Sequence, residues 1–298
     1  MQFFFEVLIA GLLSGVMYAL VALGFVLIFK ASGVFNFAQG AMVFFAALTV
    51  VGLKEEFGFP LWLAIPATML VMIAVGFLTE RIVLRPLVNQ HDITLFMATI
   101  GLTFFLEGLA QLMWGSTVRA LDLGIQDVPI EYLMQKTGML VSQFDVIAAG
   151  ICAVLVAVLA FLFNKTKIGR ALRAVADDHQ AALSVGIPLQ HVWGIVWAVA
   201  GIVALVAGLL WGSRNGVQFA LTFVALKALP VLILGGFTSV PGAIVGGLII
   251  GASEKLAEVY IGPYVGGGIE GWFPYVLALV FLLIRPEGLF GEKIIRRI

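Results

Sequence analysis

Charged residues are scarce in this sequence of 298 residues, and their scarcity excludes an ordinary water-soluble domain. Only 11% of the residues are charged, whereas 62% are hydrophobic. A soluble domain carries about 25% charged residues, which it needs to cover its surface. The formal net charge is zero, so no general electrostatic field favours nucleic acid as a partner.

Cysteine and histidine are almost absent, which limits the chemistry open to the chain. The single cysteine, Cys152, lies in an apolar run, so neither an intrachain disulfide nor a cysteine metal cluster is possible. The histidines are His91, His179 and His191, and none belongs to an HExxH motif. We therefore expect no catalytic site, metal or cofactor in this chain.

Long apolar runs are what the sequence has in abundance. A spanning helix needs roughly 20 apolar residues, and runs such as "ICAVLVAVLAFLF" lack the alternation of β-barrel strands. No Lys or Arg precedes the first run, so we expect a retained helix rather than a signal peptide. We predict an all-α polytopic transmembrane helix bundle forming a single domain, residues 1–298. Its nine predicted spans are 3–29, 34–53, 61–79, 93–114, 144–163, 192–212, 218–234, 241–257 and 272–285. The last span is short, and a re-entrant course for it would leave eight.

Lysines and arginines in the short loops predict the orientation, because cytoplasmic loops carry an excess of both. Eleven fall in one set of loops and five in the opposite set. The N-terminus is then outside and the C-terminus is cytoplasmic. The main outer loop covers residues 115–143, and the main inner loop covers residues 164–191.

A weak internal similarity indicates a possible parallel repeat. "AGLLSG" (10–15), "VLIF" (26–29) and "GAMV" (40–43) recur as "AGLLWG" (207–212), "VLIL" (231–234) and "GAIV" (242–245). The predicted topology gives the two "VLI" segments one direction and the two "GA-V" segments the other. Parallel repeats of this kind occur in transporters.

The stretch "VFNFAQGAMVFF" (34–45) places two amides and a glycine inside an apolar region. Asn36 is a preferred helix N-cap, and Gln39 three residues later would complete a variant capping box. Gly40 would let a neighbouring backbone approach. The structural interpretation is a capped start of the second span. The functional alternative is that this helix start lines a permeation path.

Glycines in "VPGAIVGGLIIGASE" (240–254) predict close helix packing. Gly242 and Gly246 form one small-xxx-small pair, and Gly247 and Gly251 form another. No Lys-Ser or Lys-Thr follows these glycines, which excludes a phosphate-binding P-loop.

Two ionisable residues, Glu107 and Lys227, lie nearest the middle of their predicted spans. Such residues are costly in a membrane and usually face the bundle interior or a water path. We therefore predict them as candidates for a transport path, and they could pair if both faced the centre. The alternatives are a purely structural pair, or a Lys227 that extends toward the headgroups.

The inner loop predicts an amphipathic helix from Gly169 to Val185, ended by the "GIP" sequence. Its apolar stripe consists of Leu172, Val175, Ala176 and Leu183, and its charges are Arg170, Arg173, Asp177 and Asp178. Such a helix could lie on lipid headgroups or dock in a groove on a partner protein. The two aspartates favour the protein partner over an anionic surface.

With these segments the chain resembles a family, the membrane subunits of ABC importers for branched-chain amino acids, and in particular the shorter of the two paired permeases. The resemblance covers nearly the whole length. It includes "YALVALGFVLIF" followed by "NFAQG", then "ERIVLRPL", "GRALRAVADDHQAALSVGI", "LKALPVLILGGFTSVPGAIVGGLIIGASE" and "RPEGLFG". The set in this order is specific, although each piece alone is weak.

The resemblance implies that the inner helix couples the chain to an ATPase, often through an EAA-xxx-G pattern. Here "QAALSVG" (180–186) has that spacing, with Gln180 replacing the acid ahead of Ala181, Ala182 and Gly186. The family motif usually reads N-F-A-H-G, and Gln39 in place of the histidine removes a titratable group. Lys227 matches a lysine of the family, whereas Glu107 has no reliable charged counterpart.

The implied partners are a second permease, two cytoplasmic ATPases that carry ATP and Mg²⁺, and a periplasmic binding protein. The implied location is the bacterial inner membrane, and no covalent chemistry is expected of this chain. Branched-chain amino acids are the expected substrates, with urea, short amides or aromatic acids as alternatives within the family. A proton-coupled secondary transporter titrating at Glu107 and a passive channel for a small neutral solute are the alternatives outside it.

Overall fold

The computed structural model describes residues 2–87, 90–177 and 179–291. Within these residues the chain is almost entirely helical, with only two isolated β-bridges, Arg119–Val217 and Pro129–Ser142. The α-helices are α1 (Gln2–Ser32), α2 (Gln39–Glu56), α3 (Leu61–Leu78), α4 (Asp92–Trp114), α5 (Glu131–Thr137), α6 (Gln143–Lys165), α7 (Lys167–Asp177), α8 (His179–Ser184), α9 (Leu189–Asn215), α10 (Val224–Gly235), α11 (Val240–Tyr260), α12 (Gly262–Val265) and α13 (Phe273–Ile284). A π-helix, Thr79–Leu84, continues α3, and 3₁₀-helices occupy Arg85–Leu87, Phe219–Phe223 and Ile269–Gly271.

Every one of the nine predicted spans contains a helix, which confirms the all-α membrane class. In the part of the chain that the structure describes, six helical stretches are long and apolar enough to cross a bilayer: Gln2–Ser32, Leu61–Leu87, Ile93–Trp114, Gln143–Phe163, Leu189–Asn215 and Val240–Tyr260. Phe219–Gly235 and Phe273–Ile284 are shorter apolar stretches. The remaining predicted span is α2, which is buried from Gln39 to Gly52 and ends in charged residues.

The ninth predicted span is too short to cross as a helix alone. α13 has 12 residues, which corresponds to about 18 Å at the α-helical rise per residue. A hydrocarbon core is about 30 Å thick. The alternative with a partly re-entrant last segment fits this length.

The contacts divide the chain into two compact units. Unit 1 contains residues 1–22, 124–154 and 226–298, and unit 2 contains residues 23–123 and 155–225. The expectation of one domain over the whole chain remains a prediction, and so does the internal repeat.

Within unit 1, α11 packs through glycines on two sides. Gly247 and Gly251 face Gly15 and Gly11 of α1, and a Cβ on Gly11 would lie 2.7 Å from the carbonyl oxygen of Gly251. Gly242 and Gly246 face the end of α10 in the same way. The predicted role of these glycines in helix packing is therefore confirmed.

The "RPEGLFG" segment closes the described part of unit 1. The backbone N–H groups of Leu289 and Phe290 donate to the carbonyl oxygens of Leu234 and Gly235. These are carbonyls of the last turn of α10, which have no partner inside the helix. The segment therefore caps α10.

Within unit 2, α2 and α9 form the centre. α9 contacts α2, α3, α7 and α8, and glycines make these approaches close. A Cβ on Gly76 of α3 would lie 2.6 Å from the backbone nitrogen of Ala198, and one on Gly208 would lie 2.6 Å from the carbonyl oxygen of Val43. Larger residues at these positions would push the helices apart.

Candidate functional site

Asn36 and Gln39 are fully buried in the turn between α1 and α2. The Nδ2 of Asn36 donates to the Oε1 of Gln39 over 3.2 Å, and its Oδ1 accepts from the N–H of Ala38 over 3.1 Å. Thr99 of α4 holds the same turn, because its Oγ1 accepts from the N–H of Phe37 at 3.2 Å. The turn is therefore fixed by side chains on both sides.

The predicted capping box is wrong in its details. Helix α2 begins at Gln39, its N-cap is Ala38, and no side chain bonds to the free N–H groups of the first turn as a cap. Asn36 lies two residues upstream and makes a local turn with the N–H of Ala38 instead. The side-chain oxygen of Gln39 accepts from the side chain of Asn36 rather than from its backbone N–H, while the backbone N–H of Gln39 donates to the carbonyl oxygen of Asn36. Burial favours this arrangement, because each amide supplies a partner that water would supply elsewhere.

Glycines make room for this amide pair. A Cβ on Gly24 of α1 would overlap the side-chain amide of Gln39, so a larger residue at position 24 would force the glutamine to shift. Gly40 lies against the carbonyl of Thr222, where a Cβ would also overlap. The Nε2 of Gln39 has no hydrogen-bond partner among the described residues. It is a buried donor without an acceptor, which is costly in a helix bundle.

Glu107 is buried in α4, with 8% of its surface exposed. Among the residues that the structure describes, its carboxyl group has no hydrogen-bond or ion-pair partner. It lies in unit 2, together with Asn36, Gln39 and Gly40. No pair among the described residues therefore accounts for the burial of Glu107.

Lys227 pairs with Glu254, a residue that the sequence analysis did not single out. The Nζ of Lys227 lies 3.5 Å from the Oε1 of Glu254 and 5.8 Å from the centre of the Tyr18 ring. The hydroxyl of Tyr18 donates to the same Oε1 over 3.1 Å. These side chains come from α10, α11 and α1, and all of them belong to unit 1.

A spacing signal in the sequence points to Glu254. Gly247, Gly251 and Glu254 are four and three residues apart, so they lie on one face of α11. That face packs on α1, where Gly11, Gly15 and Tyr18 repeat the same spacing. The pairing of Gly11 with Gly251 and Gly15 with Gly247 makes the helices antiparallel. Side chains lean toward the N-terminus of their own helix, which brings Tyr18 and Glu254 toward each other.

The predicted inner helix is seen as α7 and α8, on either side of residue 178. Gly169, Leu172 and Val175 are buried, whereas Arg170 and Leu183 are exposed. Asp178 lies outside the described residues, and so do the side chains of Asp177 and Gln180. Ala181 and Gly186 are exposed and Ala182 is buried. The segment therefore has one packed face and one free face, as an amphipathic helix does.

The two arginines of this segment differ in their surroundings. The Arg173 guanidinium donates to the carbonyl oxygen of Phe163, near the C-terminal end of α6. Such a contact satisfies a carbonyl that has no partner inside its own helix. Arg170 is exposed. Arg173 therefore anchors the segment, whereas Arg170 is open to a partner.

The inner segment is connected to the Asn36 turn through α9. Both α7 and α8 contact α9, and the indole Nε1 of Trp193 on α9 donates to the carbonyl oxygen of Ala31 over 3.1 Å. Ala31 lies in the last turn of α1, just before the turn that carries Asn36. A displacement of α7 or α8 thus has a packed route to the buried amides.

A cavity of about 310 Å³ opens beside α2 and α4 in unit 2. Amides and aromatic rings line it together, including those of Gln111, Gln218, Phe44 and Phe219. It has the mixed character of sites for small amphiphilic molecules. Within the described residues no group of three or more His, Cys, Asp or Glu is placed to hold a metal ion.

Comparison with known proteins shows similarity to one family along nearly the whole chain. Residues 7–285 match the family model of the branched-chain amino acid transport system permease component. The high-affinity branched-chain amino acid transport system permease protein BraD of Pseudomonas aeruginosa is 26% identical over 306 residues, covering 99% of this chain and 98% of that protein.

One further relative and one solved structure are similar to the chain. The probable branched-chain amino acid transport permease protein LivH of Methanocaldococcus jannaschii is 30% identical over 286 residues, covering 91% of this chain and 88% of that protein. The structure of PsaBC from Streptococcus pneumoniae in complex with Fab has a TM-score of 0.49 at 15% identity, covering 92% of this chain and 89% of that one.

Proposed function

Because the chain belongs to the family of permease components of branched-chain amino acid transport systems, we propose that it is a membrane subunit of an ATP-driven ABC importer. The observation that carries the proposal is the family match over residues 7–285, which includes the inner segment as well as the spans. The chain forms a translocation path and does no covalent chemistry. It resides in the bacterial inner membrane.

Partner subunits supply the energy. Two cytoplasmic ATPases hold ATP and Mg²⁺, so this chain needs no cofactor of its own. A second permease completes the path, and a periplasmic binding protein delivers the substrate. The exposed face of α7 and α8 supports docking of an ATPase, because Ile168, Leu183 and Val185 are apolar and exposed there. A helix that presents such residues to solvent is typical of one that lies in a groove on a partner.

The packing supports a route from the ATPase to the path. ATP binding closes the ATPases and moves α7 and α8, and α9 moves with them because both contact it. The bond from Trp193 to Ala31 then transmits the displacement to the turn that holds Asn36 and Gln39. The switch is between two packings of one bundle, and nucleotide biases it through the partner.

Branched-chain amino acids are the substrates that we propose. The relatives are named as permeases for these amino acids, which supports leucine, isoleucine and valine as the first compounds to test. An amphiphilic amino acid suits a path of mainly apolar walls with a few polar groups. Asn36, Gln39, Gly40, Glu107 and Lys227 are the candidates for those groups.

Co-purification tests the proposal. The tagged chain is extracted from its native cells in mild detergent, and its partners are identified by mass spectrometry. We expect an ABC ATPase and a second permease in stoichiometric amounts. A chain recovered alone, or only with copies of itself, would contradict the importer and favour a secondary transporter or a channel. In that case Glu107→Gln is the first variant to assay for loss of proton-coupled uptake.

A further inference from the structure

Lys227 presents a positive charge that its own protein neutralises only in part. Its side chain is 38% exposed, whereas that of Glu254 is 2% exposed. Among the described residues its one hydrogen-bond partner is the Oε1 of Glu254, at the long distance of 3.5 Å. An ammonium group has three donors. At least two of them therefore have no hydrogen-bond partner among the described residues.

The position of this charge argues against contact with lipid. A lysine exposed to hydrocarbon extends its ammonium toward the headgroups. Lys227 instead turns inward, to the buried Glu254 and to the Tyr18 ring 5.8 Å away. An ammonium held against a buried carboxylate is favourable where its exposed part meets water or a polar solute.

Glu254 and Tyr18 fix the position of the ammonium. Glu254 supplies the counter-charge, and the Tyr18 hydroxyl holds the Oε1 that faces Lys227. The Oε2 of Glu254 is buried and has no partner among the described residues. A carboxylate this enclosed is costly without a nearby cation, so the pair is held together although its contact is long.

From this geometry we propose that Lys227 binds the carboxylate of the transported molecule, with Glu254 and Tyr18 as positioning residues. The inference rests on the proposed function and narrows its substrate class. The site selects amino acids or other small carboxylic acids, because a carboxylate forms a charge-assisted bond with the open donors. Urea and simple amides lack that charge and gain no such bond.

The charges around the site favour a zwitterion among the carboxylic acids. Lys227 and Glu254 cancel each other, and the neighbouring pair of Lys255 and Glu270, 2.6 Å apart, cancels as well. Glu258, whose carboxylate accepts from the N–H groups of Gly268 and Glu270, leaves one negative charge beside that pair. An incoming simple anion would add a second negative charge to this region. An amino acid carries its own ammonium and adds no net charge.

Direct binding measurements test the site. The permease–ATPase complex is embedded in nanodiscs without binding protein, and radiolabelled leucine is displaced with unlabelled leucine or leucinamide. We expect leucine to bind at least about tenfold more tightly than leucinamide, as one charge-assisted hydrogen bond implies. Equal affinities for the two compounds, or no leucine binding, would overturn the proposal.

Variants separate recognition from folding. Lys227→Gln should remove the preference for leucine over leucinamide, and Lys227→Arg should retain it. Because Lys227→Gln leaves Glu254 buried without a cation, Lys227→Gln/Glu254→Gln is made as well. This double variant keeps the size of the Glu254 side chain, shortens that of Lys227 by one atom and removes both charges. If Lys227 had only a structural role, the variants would weaken the binding of leucine and leucinamide equally. An unchanged ratio of the two affinities would therefore overturn the proposal.

The Lys255–Glu270 pair supplies a matched control. Lys255→Gln/Glu270→Gln removes a second ion pair near Glu254 and should leave the ratio at its wild-type value. The outcomes also separate the two proposals. If uptake is driven by ATP but the ratio of leucine to leucinamide affinity does not depend on Lys227, only the carboxylate site is refuted. A Lys227-dependent ratio in a complex without ATP-driven uptake refutes only the importer.

Discussion

The side chains of Asn36 and Gln39 bond to each other over 3.2 Å while neither residue has any exposed surface. Asn36 also accepts from the N–H of Ala38. The turn between α1 and α2 therefore depends on an amide pair that has no access to water. A cap at an exposed helix end would be far less sensitive to substitution.

Replacing Asn36 tests this dependence. Loss of an exposed cap would cost roughly 1 kcal/mol of stability. Asn36→Ala instead leaves the Oε1 of Gln39 and the N–H of Ala38 buried without a partner, and it should cost about 2 to 4 kcal/mol. Thermal unfolding in detergent measures the difference, with Gln126→Ala as a control at an exposed amide. An unchanged melting temperature would contradict the structural role. Abolished transport in a well-folded Asn36→Ala protein would support a place in the path.

The glycine at position 24 should depend on the glutamine at position 39. Gly24→Ala places a Cβ where the amide of Gln39 lies, and we expect it to lower the melting temperature. Gln39→Ala removes the overlapping atoms, so the double variant Gly24→Ala/Gln39→Ala should be more stable than additivity of the single changes implies. Additive effects in this double-mutant cycle would show that the two residues are not in contact.

Glycine-to-alanine changes at a packed position and at an open position test the contact between α1 and α11. Gly15→Ala would drive a Cβ into the backbone of Gly247, which cannot move as a side-chain end can, and should cost about 1 to 3 kcal/mol. Gly150→Ala on α6 meets nothing within 4 Å. It should leave stability unchanged or raise it by up to about 1 kcal/mol through helix propensity. Similar melting temperatures for the two variants would refute the predicted packing.

The two arginines of the inner segment should separate docking from folding. Arg170 is exposed, so Arg170→Glu should weaken binding of the ATPase and leave the melting temperature unchanged. Arg173→Glu should lower both, because Arg173 also anchors the segment to Phe163. Lys136→Glu, on α5 in the predicted outer loop, is the control and should change neither. Normal ATPase binding by Arg170→Glu would show that this face is not the docking surface.

Composition and hydrophobic runs were sufficient to predict the fold class and to place a helix in every predicted span, although the last of these helices, α13, is too short to cross. Glycine spacing also predicted the packing faces of α11, because small residues four apart lie on one face whatever surrounds them. The exact start of α2 could not be predicted in this way. An asparagine before a helix can cap it or can turn the chain one step earlier, and burial by α1 and α4 decides between them.

The partner of Lys227 shows the limit of reasoning from single helices. Glu254 lies near the end of its span, where an acid is ordinarily solvated, so the spacing that it shares with Gly247 and Gly251 does not by itself predict its burial. Its burial arises from the pairing of Gly247 and Gly251 with α1, which is a property of two helices together. Lysine and glutamate 27 residues apart meet only because α10 and α11 form an antiparallel pair.

Uptake by the reconstituted complex tests the central claim most directly. The chain, its second permease and the ATPases are placed in proteoliposomes, and radiolabelled leucine is supplied with the binding protein. Our account predicts uptake that requires hydrolysable ATP, persists with a protonophore and is absent when the chain is reconstituted alone. Uptake that needs no ATP, collapses with the protonophore or proceeds through the isolated chain would contradict it.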